Sequence, residues 1–140
     1  MRPIVLSLMV ACCMGSATPA LSQSYPARPI RVIVPSSAGG TMDIFMRALG
    51  EETRKRLGQP FIVENRPGGN FNIGARACAE AAPDGYTICI LPNEALNYNQ
   101  YLFKKISYNP EKDFDAVTNP FFSTQVIVAN VDLKVKSLNE

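Results

Sequence analysis

One stretch, residues 30–57 (IRVIVPSSAGGTMDIFMRALGEETRKRL), restricts the folds open to this chain more than any other. Its first six residues are almost wholly apolar, the pattern of a parallel strand covered on both faces rather than the alternation of a half-buried one. Gly39 and Gly40 follow, and without a Cβ they let the backbone turn sharply and leave its N–H groups uncovered. Thr41 is the expected N-cap of a helix whose first turn holds Asp43, where a carboxylate suits the positive end of the helix dipole. Gly58 fits the left-handed position just past the helix end. The stripe expected to face the sheet is Phe45, Leu49 and Leu57, with Ile44 and Ala48 alongside. Gly50 is unfavourable inside a helix by about 1 kcal/mol relative to Ala, which implies close packing against a strand. A helix start built this way can hold a carboxylate or a phosphate. Any strand-to-helix turn of an α/β protein shares the pattern, so the stretch alone does not choose between them.

The rest of the chain repeats the unit. Residues 61–63 (FIV) read as a second buried strand, and the turn-forming loop 65–72 (NRPGGNFN) leads to an alanine-rich helix over 73–81. A turn at 82–85 precedes a third strand over 86–91. This β-α-β-α-β order with right-handed crossovers predicts an α/β fold, a parallel sheet with helices on both faces. Loops 36–41, 66–72 and 92–95 leave the carboxyl ends of the strands and must gather at one edge, where open α/β sheets bind ligands. Residues 95–105 look helical but irregular, with Tyr98, Tyr101 and Phe103. Residues 107–115 are a polar connection, and 114–117 and 125–129 read as further strands separated by Asn119-Pro120. Ser137-Leu138-Asn139-Glu140 has the form of a capping box. It announces a helix for which no residues follow, the expectation of a truncated frame or a fragment.

Composition removes several function classes. The 140 residues suffice for one ordinary domain, and 46% hydrophobic with 19% charged residues is a globular composition. A net charge of +2 gives no footprint for nucleic acid. The densest basic run, Arg54-Lys55-Arg56, follows Glu51 and Glu52 on what reads as a solvated helix face. With no histidine a Ser-His-Asp triad is excluded, and no G-x-S-x-G elbow is present. The loop SSAGGTMD has neither the Lys-Ser/Thr ending of a P-loop nor the G-x-G-x-x-G pattern. Asp113 and Asp115 are more simply parts of a polar connection than paired catalytic carboxylates. The chain therefore reads as no enzyme, with no cofactor and no metal site.

The first 22 residues read as a cleaved secretory signal: Arg2, an apolar run over 4–14, then Ala20-Leu21-Ser22 with small-x-small spacing. The run is well short of the roughly 20 residues needed to span a bilayer. A lipoprotein reading through Cys12 is the less favoured alternative. Export leaves Cys78 and Cys89. They lie on an expected helix and the strand after it, so a disulfide is geometrically conceivable in an oxidising compartment. Two small core residues is the simpler expectation.

From Tyr25 to Glu140 the chain resembles the Bug-type periplasmic solute receptors of tripartite tricarboxylate transporters. The resemblance runs in order through YPARPIRVIVP, AGGTMD, LGQPFIVENRPGG, NIGA, AAPDGYT and YNPEKDFDAVT. It implies a two-lobed, periplasmic-binding-protein-like (type II) fold that closes on a ligand by hinge motion. Residues 23–120 would then form the first lobe, and 121–140 the crossover into a second lobe that is largely missing. It also implies a periplasmic protein capturing a small organic anion, held through backbone amides, hydroxyls and water, for integral-membrane permease subunits. The alternatives are a truncated relative that binds nothing and a secreted α/β enzyme. By matching position, the ligand residues would be Ser36, Ser37, Ala38, Gly39, Gly40, Thr41 and Asp43 from the first loop. The second loop would supply Phe71, Asn72 and Gly74, and the third Pro92, Asn93 and Glu94. The chain departs from the family where Ser36-Ser37-Ala38 replaces a run such as Phe-Pro-Pro, and where Asn70-Phe71 stands for small residues. Glu94 would repel a carboxylate if it pointed inward, so it is expected in a helical first turn facing solvent.

Overall fold

A computed structural model describes residues 24–124, 126, 128–133 and 137. Residues 1–22, read as a signal, and most of the capping-box pattern at 137–140 lie outside the described residues. The elements are β1 (Ile30–Val34), α1 (Thr41–Leu57), β2 (Phe61–Asn65), α2 (Asn72–Ala79) and β3 (Thr87–Cys89). A wide helical turn at Glu94–Tyr98 then runs into the single turn α3 (Asn99–Leu102), and a 3-10 turn occupies Val131–Leu133.

The sheet has the order β2-β1-β3 with both pairings parallel. Ile30 to Val34 pair with Phe61 to Asn65, and Arg31 to Ile33 with Thr87 to Cys89. The apolar run of β1 thus takes the central position, where Val32, Ile33 and Val34 are fully buried. The chain moves to one side of β1 and then back across it. Right-handed crossovers therefore place α1 and α2 on opposite faces, as the βαβ pattern requires. Val32, Val34, Met46 and Ile90 form one core cluster. Ala75, Ala95 and Tyr108 form the second.

Helix α1 differs from the expected helix at two points. Its N-cap is Gly40, which has no side chain to bond into the helix, and not Thr41, which is the exposed first helical residue. Its buried residues are Asp43, Met46 and Gly50. Phe45 packs on the core as expected, but Ile44, Leu49 and Leu57 are exposed and so is Ala48. The reason is the closeness of α1 to β2: a Cβ on Gly50 would stand 3.0 Å from the Cβ of Phe61. The line of contact is set by the residue that admits a ring, and the bulkier aliphatic residues rotate outward. At the other end Gly58 takes the expected left-handed conformation (φ 70°) and donates to Arg54 O.

Two further expectations are corrected. Cys78 and Cys89 are joined in a disulfide, with Cα atoms 6.3 Å apart, instead of packing as separate thiols. Helix α2 lies directly on β3, which brings the pair within bridging distance. Residues 114–117 form no strand. Phe114 packs edge-on against Tyr108 and Phe121 against Phe45, so the apolar residues here dock on the two core clusters rather than joining a ladder. Of the strand expected at 125–129, residues 125 and 127 lie outside the described residues, and the others carry no strand.

At the amino ends of the strands, opposite the loops, a clasp fixes the start of the chain. The Tyr25 hydroxyl donates to Gly85 O at 2.6 Å, and the Ala27 N–H donates to the Tyr86 hydroxyl at 2.9 Å. Arg28 pairs with Asp84 at 2.8 Å and stacks 4.2 Å from the centre of the Tyr86 ring.

Candidate ligand-binding edge

Loops 36–41 and 66–72 are tied together by hydrogen bonds and close packing. The Arg66 N–H donates to Val34 O at 2.8 Å, extending the β1–β2 ladder into the loops. The Asn65 amide donates to Ser36 O and to Asp43 Oδ1, both at 3.0 Å. A Cβ on Gly74 would fall 2.5 Å from the Cβ of Pro35, so the start of α2 can press against the first loop only with glycine there.

Within the first loop Gly39 has φ 83°, the left-handed conformation that glycine adopts without penalty. Its N–H was expected to be uncovered but donates to Asp43 Oδ2 at 2.8 Å. The Gly40 N–H is also taken, by Ser37 O at 3.2 Å. Asp43 is 3% exposed and accepts from Arg47 and Asn65 as well. The Arg47 hydrogen bond, followed by the Gly39 N–H, lowers its pKa to about 2. Asp43 is therefore a brace inside the loop, with its oxygens already occupied. Among the loop amides, the N–H groups of Ser36, Ser37, Ala38, Thr41, Met42 and Asp43 have no partner among the described residues, the last three at the open end of a 17-residue helix. Ser36 Oγ is buried and makes no hydrogen bond, and it lies 3.5 Å from where a Cβ on Gly40 would stand. Ser37 and Ala38 are exposed beside it.

The second loop passes through positive φ at Gly68, Gly69, Asn70 (51°) and Phe71 (71°). Asparagine tolerates this region, whereas for phenylalanine it costs on the order of 1–3 kcal/mol and needs support. The support is packing: Phe71 sits on the cluster of Ala75, Ala95 and Tyr108. Asn72 is the first residue of α2 and is half-buried.

In the third loop Pro92 O accepts the Ala95 N–H at 3.0 Å, and the exposed Asn93 donates to the Tyr98 hydroxyl at 2.9 Å. The Asn99 N–H bonds to Glu94 O, five residues back, which makes the turn a π-type widening of the kind often found at functional sites. Glu94 is its first residue and is half-buried. The loop joins the second through Asn99, which no sequence pattern marks, and Tyr108, which opens the YNPEKDFDAVT segment but is not among the expected site residues. Asn65 was missed likewise, although a polar amide ending an apolar strand beside a glycine loop is a readable sign. A hollow of about 330 Å³ lies elsewhere, between α1 and β2. Pro60 and Phe61, at the end of β2 away from the loops, help line it.

Among the described residues no helix is long and apolar enough to cross a membrane. The sequence profile of the tripartite tricarboxylate transporter family receptor matches residues 45–140. The protein BugT of Bordetella pertussis is 38% identical over 126 residues, 89% of this chain and 39% of that one. Among solved structures, MatC of Rhodopseudomonas palustris with bound malate is 38% identical with a TM-score of 0.60, over 64% of this chain and 31% of that one. A second R. palustris protein, solved with adipate, is 31% identical with a TM-score of 0.60, over 63% and 29%. The chain spans about two fifths of the length of the curated relatives it matches.

Proposed function

Because the chain belongs to the tripartite tricarboxylate transporter receptor family, we propose that its loop edge is one wall of a binding cleft for a carboxylate of a small organic acid. The observation that carries this reading is Ser36 Oγ, a buried hydroxyl without a partner beside the open amides of α1. A buried hydroxyl left unpaired costs about 1–3 kcal/mol, and a ligand oxygen accepting its hydrogen bond would recover that cost. A carboxylate there would also accept from the Thr41 and Met42 amides at the positive end of the helix dipole. The malate and adipate bound by the two related structures are small dicarboxylates, which supports the same ligand class here.

In this reading residues 23–120 are the first lobe and 121–140 begin the crossover to a second. Binding favours the closed over the open arrangement, and the closed form is what permease subunits recognise. The family is one of transporter receptors and not of enzymes, and the protein would work in the periplasm after removal of residues 1–22.

The test is titration calorimetry of the full chain with mono-, di- and tricarboxylates, beside Ser36→Ala. The variant should melt higher by about 1 kcal/mol of stability, since it removes an unsatisfied group, yet bind the preferred acid about tenfold more weakly. Gly40→Val should abolish binding, because its side chain would enter the space beside Ser36 Oγ and Ser37 O. No binding to any acid of the panel, or unchanged affinity in both variants, refutes the assignment.

A further inference from the structure

Asn99 has none of its surface exposed. It opens α3, yet its side chain bonds across to the second loop. Its Nδ2 donates to Asn70 O at 2.7 Å and to Asn72 Oδ1 at 2.8 Å, and its Oδ1 accepts from Asn70 Nδ2 at 2.8 Å. A backbone carbonyl can only accept, so Asn70 O leaves one orientation for the Asn99 amide. That orientation aims its other N–H at Asn72, whose facing atom must then be the carbonyl oxygen. The Tyr108 hydroxyl lies 2.7 Å from the same oxygen and 2.7 Å from Ala95 O, and shares its one proton between them. Both lone pairs of Asn72 Oδ1 thus meet donors, and the NH2 group of Asn72 is turned away from the cluster. It has no partner among the described residues. Ser36 Oγ is the one fully buried side-chain polar atom left unpaired among them, so the Asn72 NH2, on a half-buried residue, is not sealed in the interior.

We infer that Asn99 is a positioning residue: it holds Asn72 so that the NH2 of Asn72 stands outward from the second loop as a donor to a ligand carboxylate. The inference rests on the loop edge being a carboxylate site. It goes further in assigning the selectivity, since an amide locked this way favours acceptor-only groups over amides and amines. Freed of Asn99, Asn72 could turn its oxygen outward and accept a ligand N–H equally well.

The orientation is tested without ligand by side-chain amide hydrogen exchange on the full chain. The Asn99 NH2, fully buried and doubly bonded, should exchange at least about 100-fold more slowly than the Asn72 NH2. Equal rates overturn the assignment. The selectivity is tested by calorimetry with linear dicarboxylates and their diamides. Asn72→Asp keeps the inward oxygen and should melt close to wild type while losing about 100-fold in dicarboxylate affinity. In Asn99→Ala the dicarboxylate should bind about tenfold more weakly and the preference over the diamide should shrink. An unchanged preference in Asn99→Ala, or unchanged affinity in Asn72→Asp, overturns the positioning role. Should Asn99→Ala fail to fold, Asn72→Asp and the wild-type exchange rates still decide. If wild type binds no dicarboxylate, the carboxylate reading fails, and the exchange rates judge the orientation separately.

Discussion

Asp43 carries its charge well below the pH at which an ordinary carboxylate begins to lose it, because Arg47, the Gly39 N–H and Asn65 all donate to it. A group whose folded pKa is depressed contributes stability that is complete above its unfolded value and fades as pH falls through the folded one. For Asp43 that window runs from the ordinary 3.8 down to about 2. Glu64 is held low by Arg31 and Arg66 and acts in the same direction. Acid titration followed by amide exchange should therefore release the Gly39 N–H across this window. Asp43→Asn should remove the transition there, and an unaltered Gly39 profile in that variant would show that the carboxylate does not hold the loop. The residues that chemistry marks by type were legible in advance: Gly39 for its turn, Gly58 for its cap, Gly50 for close packing. Asn65 and Asn99 were not, and Ser36 was named only by its position in the family pattern. Their roles depend on partners 22 to 29 positions away for Asn65 and Asn99, and on the lack of any partner for Ser36.

Among the elements, α1, α2 and the first two strands follow from apolar run length and punctuation, and their limits lie within two residues of expectation. The face of α1 did not follow. Counting apolar residues favours Ile44 and Leu49, whereas the sheet accepts the surface that comes closest, and a glycine against Phe61 comes closer than any leucine. Residues 114–117 mislead for a related reason: a β-prone run becomes a strand only where another strand is available to pair with it. The disulfide between α2 and β3 closes a separation of 11 residues, which in a chain-entropy account stabilises by about 3 kcal/mol. A Cys78→Ala/Cys89→Ala variant should lose about that much in denaturant unfolding. Equal midpoints and slopes for variant and wild type would mean that the bridge restrains nothing.

At the scale of the whole molecule, the parallel sheet with helices on both faces and the gathering of three loops at one edge were legible, because topology rules leave few ways to arrange three parallel strands. The central strand should also be the last to open. Amides of β1 bonded to both neighbours should exchange only through global unfolding, and those of the exposed, unpaired residues near Val117 and Phe122 close to random-coil rates. Faster exchange in β1 than in α1 would place the stable unit elsewhere. The clasp at the other end of the sheet adds a consequence in time rather than space. Tyr25 bonds a residue 60 positions further on, and Arg28 one 56 further on. A chain emerging amino end first cannot fix residues 25–28 until the turn that leads into the third strand has followed. The first part of the described fold to appear is therefore among the last to be secured.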